Sequence, residues 1–411
     1  MKYTLAQNRW YGDQPVDIEL PDDWDIEEFV SPGDQFPVMT IEDIREKFKT
    51  AVGTKPIREL AKGHEQVVIV FDDLTRATPT QPIAEVLLEE LLAAGVEKQN
   101  IRFICGGGMH GPLMRNDMVR KLGETIVREY AVFNHNPYEG CVDVGVTPMG
   151  VKVSMNGEFM ACDLKIGIGG LVPHPLNGFG GGGKIIMPGV ASVETIYGTH
   201  SGARAKTMQP GRNPMAGNGK LDDPAFRSEV EAVVRLCHFD FKIDAILNSN
   251  AEMYDLFMGD PIEEYYAAAK RADGMYAVHP RGKKQVMIAN ANAKASEAPI
   301  GFYMAMQTLE PGGDLILVDH TPGQCVHFSE GHFGAHAGSA IYNGVRPHSD
   351  MINRAIIYSP YPDYTSSLWF GTPGTVIWAE TWEEVMNIIS DRGPGTTVGI
   401  FRDATIQHVV M

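Results

Sequence analysis

No stretch of the 411 residues stays apolar long enough to cross a bilayer, which argues against a helical membrane protein. No block of basic residues occurs. With 35 Lys and Arg against 52 Asp and Glu the formal charge is −17, which argues against a nucleic-acid partner. Cysteine is scarce: the five residues Cys105, Cys141, Cys162, Cys237 and Cys325 are widely spread and make no C-x-x-C pair. That pattern excludes a disulfide framework and fits reduced thiols. Met1 to Trp10 carry no apolar core segment, so no secretion signal is expected and the expected compartment is the cytoplasm. No internal repeat appears, and the one low-complexity tract is a run of glycines.

What is present is ordinary for a soluble globular chain, with 44% hydrophobic and 21% charged residues. The length suits two or three domains. The first 35 residues are acidic and predict an edge hairpin, followed by a helix over 41–51. The apolar run 66–71, the helical spacing over 81–94 closed by Gly95, and the run 101–105 predict a βαβ unit with parallel strands. A further strand is expected at 163–168, with helices near 228–236 and 261–272. Residues 273–284 read as a linker. Strands at 285–289, 314–318, 355–358 and 397–401, with helices at 298–309 and 382–389, repeat the α/β pattern. The expected fold is therefore α/β, with two domains, 1–272 and 273–411, whose mostly parallel sheets face a central cleft.

In such sheets functional groups lie beyond the carboxyl ends of the strands. The first strand runs into Asp72, Asp73, Thr75 and Arg76. The second runs into Gly108-Met109-His110, and the strand at 163–168 leads to His174 and Lys184. Three successive strand ends thus supply titratable side chains to one edge.

The densest stretch is Gly178-Phe179-Gly180-Gly181-Gly182-Gly183-Lys184, flanked by His174 and His200. It fits the G-x-x-x-x-G-K spacing of a phosphate loop. The next residue there should be Ser or Thr, whose hydroxyl binds magnesium. Here it is Ile185, and a nucleotide-dependent phosphoryl-transfer enzyme is kept only as an alternative. A simple glycine turn would leave the histidines without a purpose.

With these blocks placed, the chain resembles the lactate racemase family, the nickel-pincer-nucleotide racemases and epimerases. The resemblance rests on Asp73-Leu74-Thr75-Arg76-Ala77-Thr78-Pro79, on Gly108-Met109-His110-Gly111-Pro112, on Pro173-His174 through Gly178 and Lys184 to Pro188-Gly189, and on Gly198-Thr199-His200. It implies a pyridinium mononucleotide whose two sulfur-bearing arms clamp nickel. It implies that Lys184 anchors one arm covalently and that His200 is the protein's nickel ligand. Gly180, Gly181, Gly182, Gly183 and Thr75 would line the cofactor. His110 and His174 would be the acid/base pair, Arg76 the clamp for the substrate carboxylate, and Asp73 the residue orienting a histidine or the arginine. The implied partners are a small 2-hydroxy acid and the enzymes that mature the cofactor.

The chemistry of these residue types agrees. The C–H bond of a 2-hydroxy acid is not acidic, so its hydrogen leaves more readily as hydride to an electrophilic cofactor. The hydroxyl proton leaves with it, and histidine suits that base near neutral pH. Inversion moves the hydroxyl to the other side and so requires two histidines. A guanidinium holds the carboxylate bidentately, and imidazole binds nickel well alongside sulfur. A non-catalytic cofactor-binding protein is the remaining alternative. Cys325, His327, His332 and His336 form a second metal-like group, read as lining the cleft from the second domain. Departures from the family pattern are the stretch Asn290 to Pro299, where Asn292 and Lys294 replace a Tyr-Gln and Lys grouping, and the small Gly111 and Gly181. They point to a sugar acid or a dicarboxylate in place of lactate.

Overall fold

The computed structural model describes residues 1–8, 10, 14–174, 177–207, 219, 221, 224–322, 351–364, 367, 370–371 and 374–410. Among these residues two six-stranded sheets carry the architecture. The first runs Met253–Gly259, Phe241–Leu247, Leu164–Leu171, Val67–Phe71, Ile101–Cys105, Ala131–Asn134. Its strands pair in parallel except at the edge, where Met253–Gly259 is antiparallel. The second runs Val376–Ala379, Ile352–Tyr358, Leu309–Val318, Lys284–Asn290, Thr397–Phe401, Asp25–Phe29 and is parallel throughout.

The sequence explains the central strands directly. Val67–Phe71 reads Val-Val-Ile-Val-Phe and is buried at every position, as a parallel strand covered on both faces must be. Alternation then divides it between two cores. Val67, Ile69 and Phe71 enter one core, with Leu87 and Leu91 of the helix Thr80–Ala93. Val68 and Val70 enter another, with Ile185, Val230 and Val234. The strand Lys284–Asn290 does the same in the second sheet, sending Met287 and Ala289 one way and Val286 and Ile288 the other. The helix Thr80–Ala93 stops where Gly95 takes a φ of +95°, a conformation that glycine adopts without strain.

The N-terminus departs from the expected division. Lys2–Leu5 and Val16–Glu19 form the expected antiparallel hairpin. Its Leu5, Val16 and Ile18, however, pack with Val286 and Ile288 of the second sheet. Asp25–Phe29 then joins that sheet as an edge strand beside Thr397–Phe401. From residue 67 onward, the strands of the first six-stranded sheet all precede residue 260 and those of the second all follow residue 283, while Cys141–Val146 and Lys152–Asn156 form a separate antiparallel pair. Asp25–Phe29 is the one strand of the second sheet that precedes residue 67. The reason is chemical: Asp-Ile-Glu-Glu-Phe is a polar edge strand, and nothing local in it selects a sheet.

The expected linker is also not free. Tyr276 is buried, donates to the Leu171 carbonyl at 2.8 Å, and accepts from the Leu247 amide at 3.2 Å. Ala277–Val278 pairs in parallel with His408–Val409. The connection is thereby docked onto the strand ends of the first sheet.

Phe29 tests the N-terminal crossover. Its side chain is buried and its ring meets that of Phe401 edge-on at 4.7 Å. Phe29→Ala should lower unfolding free energy by about 3–5 kcal/mol in urea titration, as large-to-small core changes do. A loss under about 1 kcal/mol would show that this strand is not part of the folded core.

Candidate functional site

The carboxyl ends of the two sheets meet. From the first come residues 72–76, 106–110 and 171–174; from the second comes the segment after Lys284–Asn290. Arg76 Nη1 lies 3.0 Å from Glu297 Oε2, Lys294 Nζ lies 3.5 Å from the Pro173 carbonyl, and Asn292 Nδ2 donates to the Ser249 carbonyl at 2.9 Å. Each of these contacts joins the two units.

Asp73 and His110 form the first group. Asp73 Oδ2 is 2.6 Å from His110 Nδ1, while Oδ1 accepts the Thr75 amide at 2.9 Å and the Thr75 hydroxyl at 2.5 Å. Burial alone would raise the Asp73 carboxyl. His110, Arg76 and the Thr75 hydroxyl outweigh it and hold the group well below the usual carboxylate range. Of the two roles expected for Asp73, the structure shows the contact with the histidine. Thr75 is also the bridge to Arg76, whose Nη1 donates to its hydroxyl at 2.9 Å.

His174, Lys184 and His200 form the second group. Lys184 Nζ is 3.2 Å from His174 Nε2. Burial, then the nearby charges of Arg76, Arg227 and Lys294, pulls the Lys184 amine down to about 7. Burial, then the nearby charges of Lys184, Lys294 and Arg76, holds His174 well below the ordinary imidazole value. Lys294 is pulled down to about 8, chiefly by burial and Arg76. His200 Nδ1 donates to the Ile196 carbonyl at 2.9 Å, and its ring meets Phe226 at 5.0 Å. That bond leaves Nε2 as the nitrogen carrying the lone pair.

The glycine run has a packing origin. Gly181 and Gly182 have φ of +80° and +54°. A Cβ on Gly181 would lie 2.6 Å from Asp244 Oδ2, and one on Gly183 would lie 2.3 Å from Val234 Cγ2. Only Gly180 of the four has no neighbour closer than 3.6 Å in that direction. The Gly182 amide donates to Asp244 at 2.5 Å. In a phosphate loop that amide would point at the ligand. The run therefore shapes the backbone against its own protein, and the small Gly181 noted in the sequence is set by Asp244.

Other positions were not legible from sequence. Lys121 is fully buried, pairs with Asp72 at 2.7 Å, and donates to the carbonyls of Asp73 and Arg76 at 3.1 and 2.8 Å. It ties down the loop that carries Asp73 and Arg76, and Asp72 is its counterion. In the charged helix Arg115–Leu122 it looks like a surface lysine. Glu297, which pairs with Arg76 at 3.0 Å, likewise carries no local signal in the sequence. Of the two residues offered in place of the Tyr-Gln and Lys grouping, Lys294 reaches the site. Asn292 is engaged at the junction with Ser249. Cys325, His327, His332 and His336 lie outside the described residues.

Comparison with known proteins bears on family and fold. Residues 11–210 match the lactate racemase N-terminal domain. The chain is similar to the lactate racemase of Thermoanaerobacterium thermosaccharolyticum, 27% identical over 253 residues, which is 61% of this chain and 58% of that protein. It is similar to the lactate racemase of Lactiplantibacillus plantarum, 28% identical over 221 residues, 53% of this chain and 50% of that protein. The matched region thus spans little more than half the length of these relatives. The fold matches the structure of the T. thermosaccharolyticum lactate racemase apoprotein at a TM-score of 0.73 and 20% identity, covering 100% of both chains. It also matches a Thermotoga maritima protein at 0.68 and 17%, covering 90% of this chain and 99% of that one.

The depressed amine of Lys184 has a direct signature. The unfolded lysine keeps its proton to about 10.5, the folded one only to about 7. Across that window the unfolded chain holds more protons, so this group's contribution to stability improves as pH rises through it, and its cost is complete below about 7. Trace acetylation mapped by peptide mass spectrometry should label Lys184 with a midpoint near pH 7, roughly three units below exposed lysines. A midpoint shared with surface lysines would remove this site's nucleophile.

Proposed function

We propose, from the membership of this chain in the lactate racemase family, that it is an isomerase inverting the hydroxyl-bearing C2 of a 2-hydroxy acid. The carrying observation is the joint placement of two differently supported histidines, an arginine and a low-pKa lysine at the meeting of the strand ends.

The residues suit a nickel-pincer nucleotide. A Lys184 amine pulled down to about 7 can form an acyl-type bond, and the Nδ1 bond to the Ile196 carbonyl sets the His200 tautomer that suits a metal ligand. When bound, the cofactor supplies an electrophilic ring carbon that takes the C2 hydrogen with its electron pair. Thr75, bonded to Arg76, and Gly180, the one glycine of the run with no neighbour closer than 3.6 Å, are assigned to lining it, while Gly181, Gly182 and Gly183 shape the backbone beneath.

The chain's own residues handle the remaining tasks. Arg76 grips the substrate carboxylate, and Lys294 adds a second cation from the other unit. His174 takes the hydroxyl proton of one stereoisomer at Nε2. His110 does so for the other, with Asp73 holding its Nδ1 and favouring the charged ring that results. The second unit covers these groups and keeps water out while the planar keto acid turns.

A sugar acid is favoured over a dicarboxylate. Glu297 stands 3.0 Å from Arg76, where it accepts hydroxyl hydrogens and repels a second carboxylate. A cytoplasmic setting with dedicated cofactor-maturation enzymes completes the reading.

The decisive experiment is expression beside those maturation enzymes. An added mass on the Lys184 peptide and nickel near one per chain are expected. Loaded enzyme given one stereoisomer in heavy water should interconvert it with the C2 hydrogen largely retained; extensive deuterium at C2 would refute the route. His110→Ala and His174→Ala should each lose at least about 100-fold in kcat, as removal of an acid/base group does. Unimpaired turnover in both would dismiss these assignments.

A further inference from the structure

We propose that Arg227 is the anchor of a phosphate monoester beside Lys184, which on the mononucleotide reading above is the phosphate of the cofactor. Arg227 is 6% exposed, yet its Nε and Nη2 have no hydrogen-bond partner. A buried guanidinium with unspent donors is costly unless something anionic completes it. The carbon of its guanidinium lies 3.2 Å from the Tyr265 ring centroid. Stacking of this kind fixes the plane of the fork but satisfies none of the donors in that plane.

Among the described residues, its acidic neighbours are turned to other partners or held from ionising by burial. Asp244 receives Lys242 Nζ at 2.6 Å and the Gly182 amide at 2.5 Å. Burial, and the Asp244 charge next to it, push the Glu264 carboxyl well up. Glu229, two residues along the helix Pro224–Cys237 and thus on another face, accepts from the Met149 amide at 3.1 Å. Among the described residues, no carboxylate hydrogen-bonds to Nε or Nη2 of Arg227.

The place of that charge identifies the ligand. Phe226, the residue before it, has its ring 4.9 Å from Lys184 Nζ and 5.0 Å from the His200 ring. Around Lys184 the cations Arg76, Arg227 and Lys294 act together, opposed by Glu297, and Glu297 is already on Arg76. A dianion with several acceptor oxygens matches that excess better than a single carboxylate. A guanidinium fork in the first turn of a helix binds phosphate through two parallel hydrogen bonds with the helix dipole in support.

The test uses the full-length protein without cofactor. Three probes are titrated calorimetrically: inorganic phosphate, nicotinic acid mononucleotide, and the phosphate-free nicotinic acid riboside. Wild type should prefer mononucleotide to riboside by about tenfold or more, and R227M should cut that preference to about twofold or less. R227K, which keeps the charge but loses the fork, should fall between them. Because no carboxylate hydrogen-bonds to Nε or Nη2 of the unliganded arginine, R227M without ligand should melt no lower than wild type. Should R227M fail to fold, the claim is overturned on stability, and an unchanged preference in R227K overturns it on binding. A full preference persisting in R227M would discard Arg227 while leaving the mononucleotide reading intact. Arg227-dependent binding of phosphate, with mononucleotide no better than phosphate, would keep the anion site and discard the mononucleotide.

Discussion

Parallel strand pairing is the constraint on which this molecule is built. A parallel strand must be reached by a crossover, so chain after chain returns to the same edge before the next strand begins. All carboxyl ends of a sheet then lie together, and the loops that leave them hold whatever chemistry the protein has. Here two such edges face each other, and the polar residues of both meet within hydrogen-bonding distance at Arg76 and Glu297. The docked connection at Tyr276 and the returned N-terminal strand tie the same two units together.

Charge at that junction is the second organising fact. Gathering the buried Lys294 and Arg227 with the half-buried Lys184 and Arg76 is unfavourable in isolation, and the depressed amines of Lys184 and Lys294 are its direct expression. The same field that keeps Lys184 reactive holds His174 below the ordinary imidazole value. An arrangement that costs stability in the unliganded chain becomes favourable only with anions present, which is how binding and catalytic sites commonly depart from the best-packed solution. Glu297 moderates the excess.

Behind this cationic surface lies a layer of fully buried polar side chains that does no binding itself. Lys121 and Asp72 secure the 73–76 loop, while Lys242 and Asp244 secure the glycine run. Precision in the first layer depends on rigidity in the second. It also explains why the glycines are where they are. A run that reads as a cradle for a ligand is, at three of its four positions, the consequence of close approach to Asp244, Tyr265 and Val234.

Local sequence determined the central strands, because a parallel strand covered on both faces must be a short apolar run, and Val67–Phe71 and Ile101–Cys105 are just that. It also determined the residues that follow those strands, and so the identities of Asp73, Arg76, His110, His174 and Lys184. Periodicity could not place Asp25–Phe29, since a polar edge strand pairs through its backbone and shows no preference for either sheet. Nor could it pair Arg76 with Glu297, 221 positions away, or tell the buried Lys121 from its solvated neighbours. Those outcomes belong to tertiary structure alone: a charge chooses its partner, and burial sets its pKa, only after distant segments have been brought together.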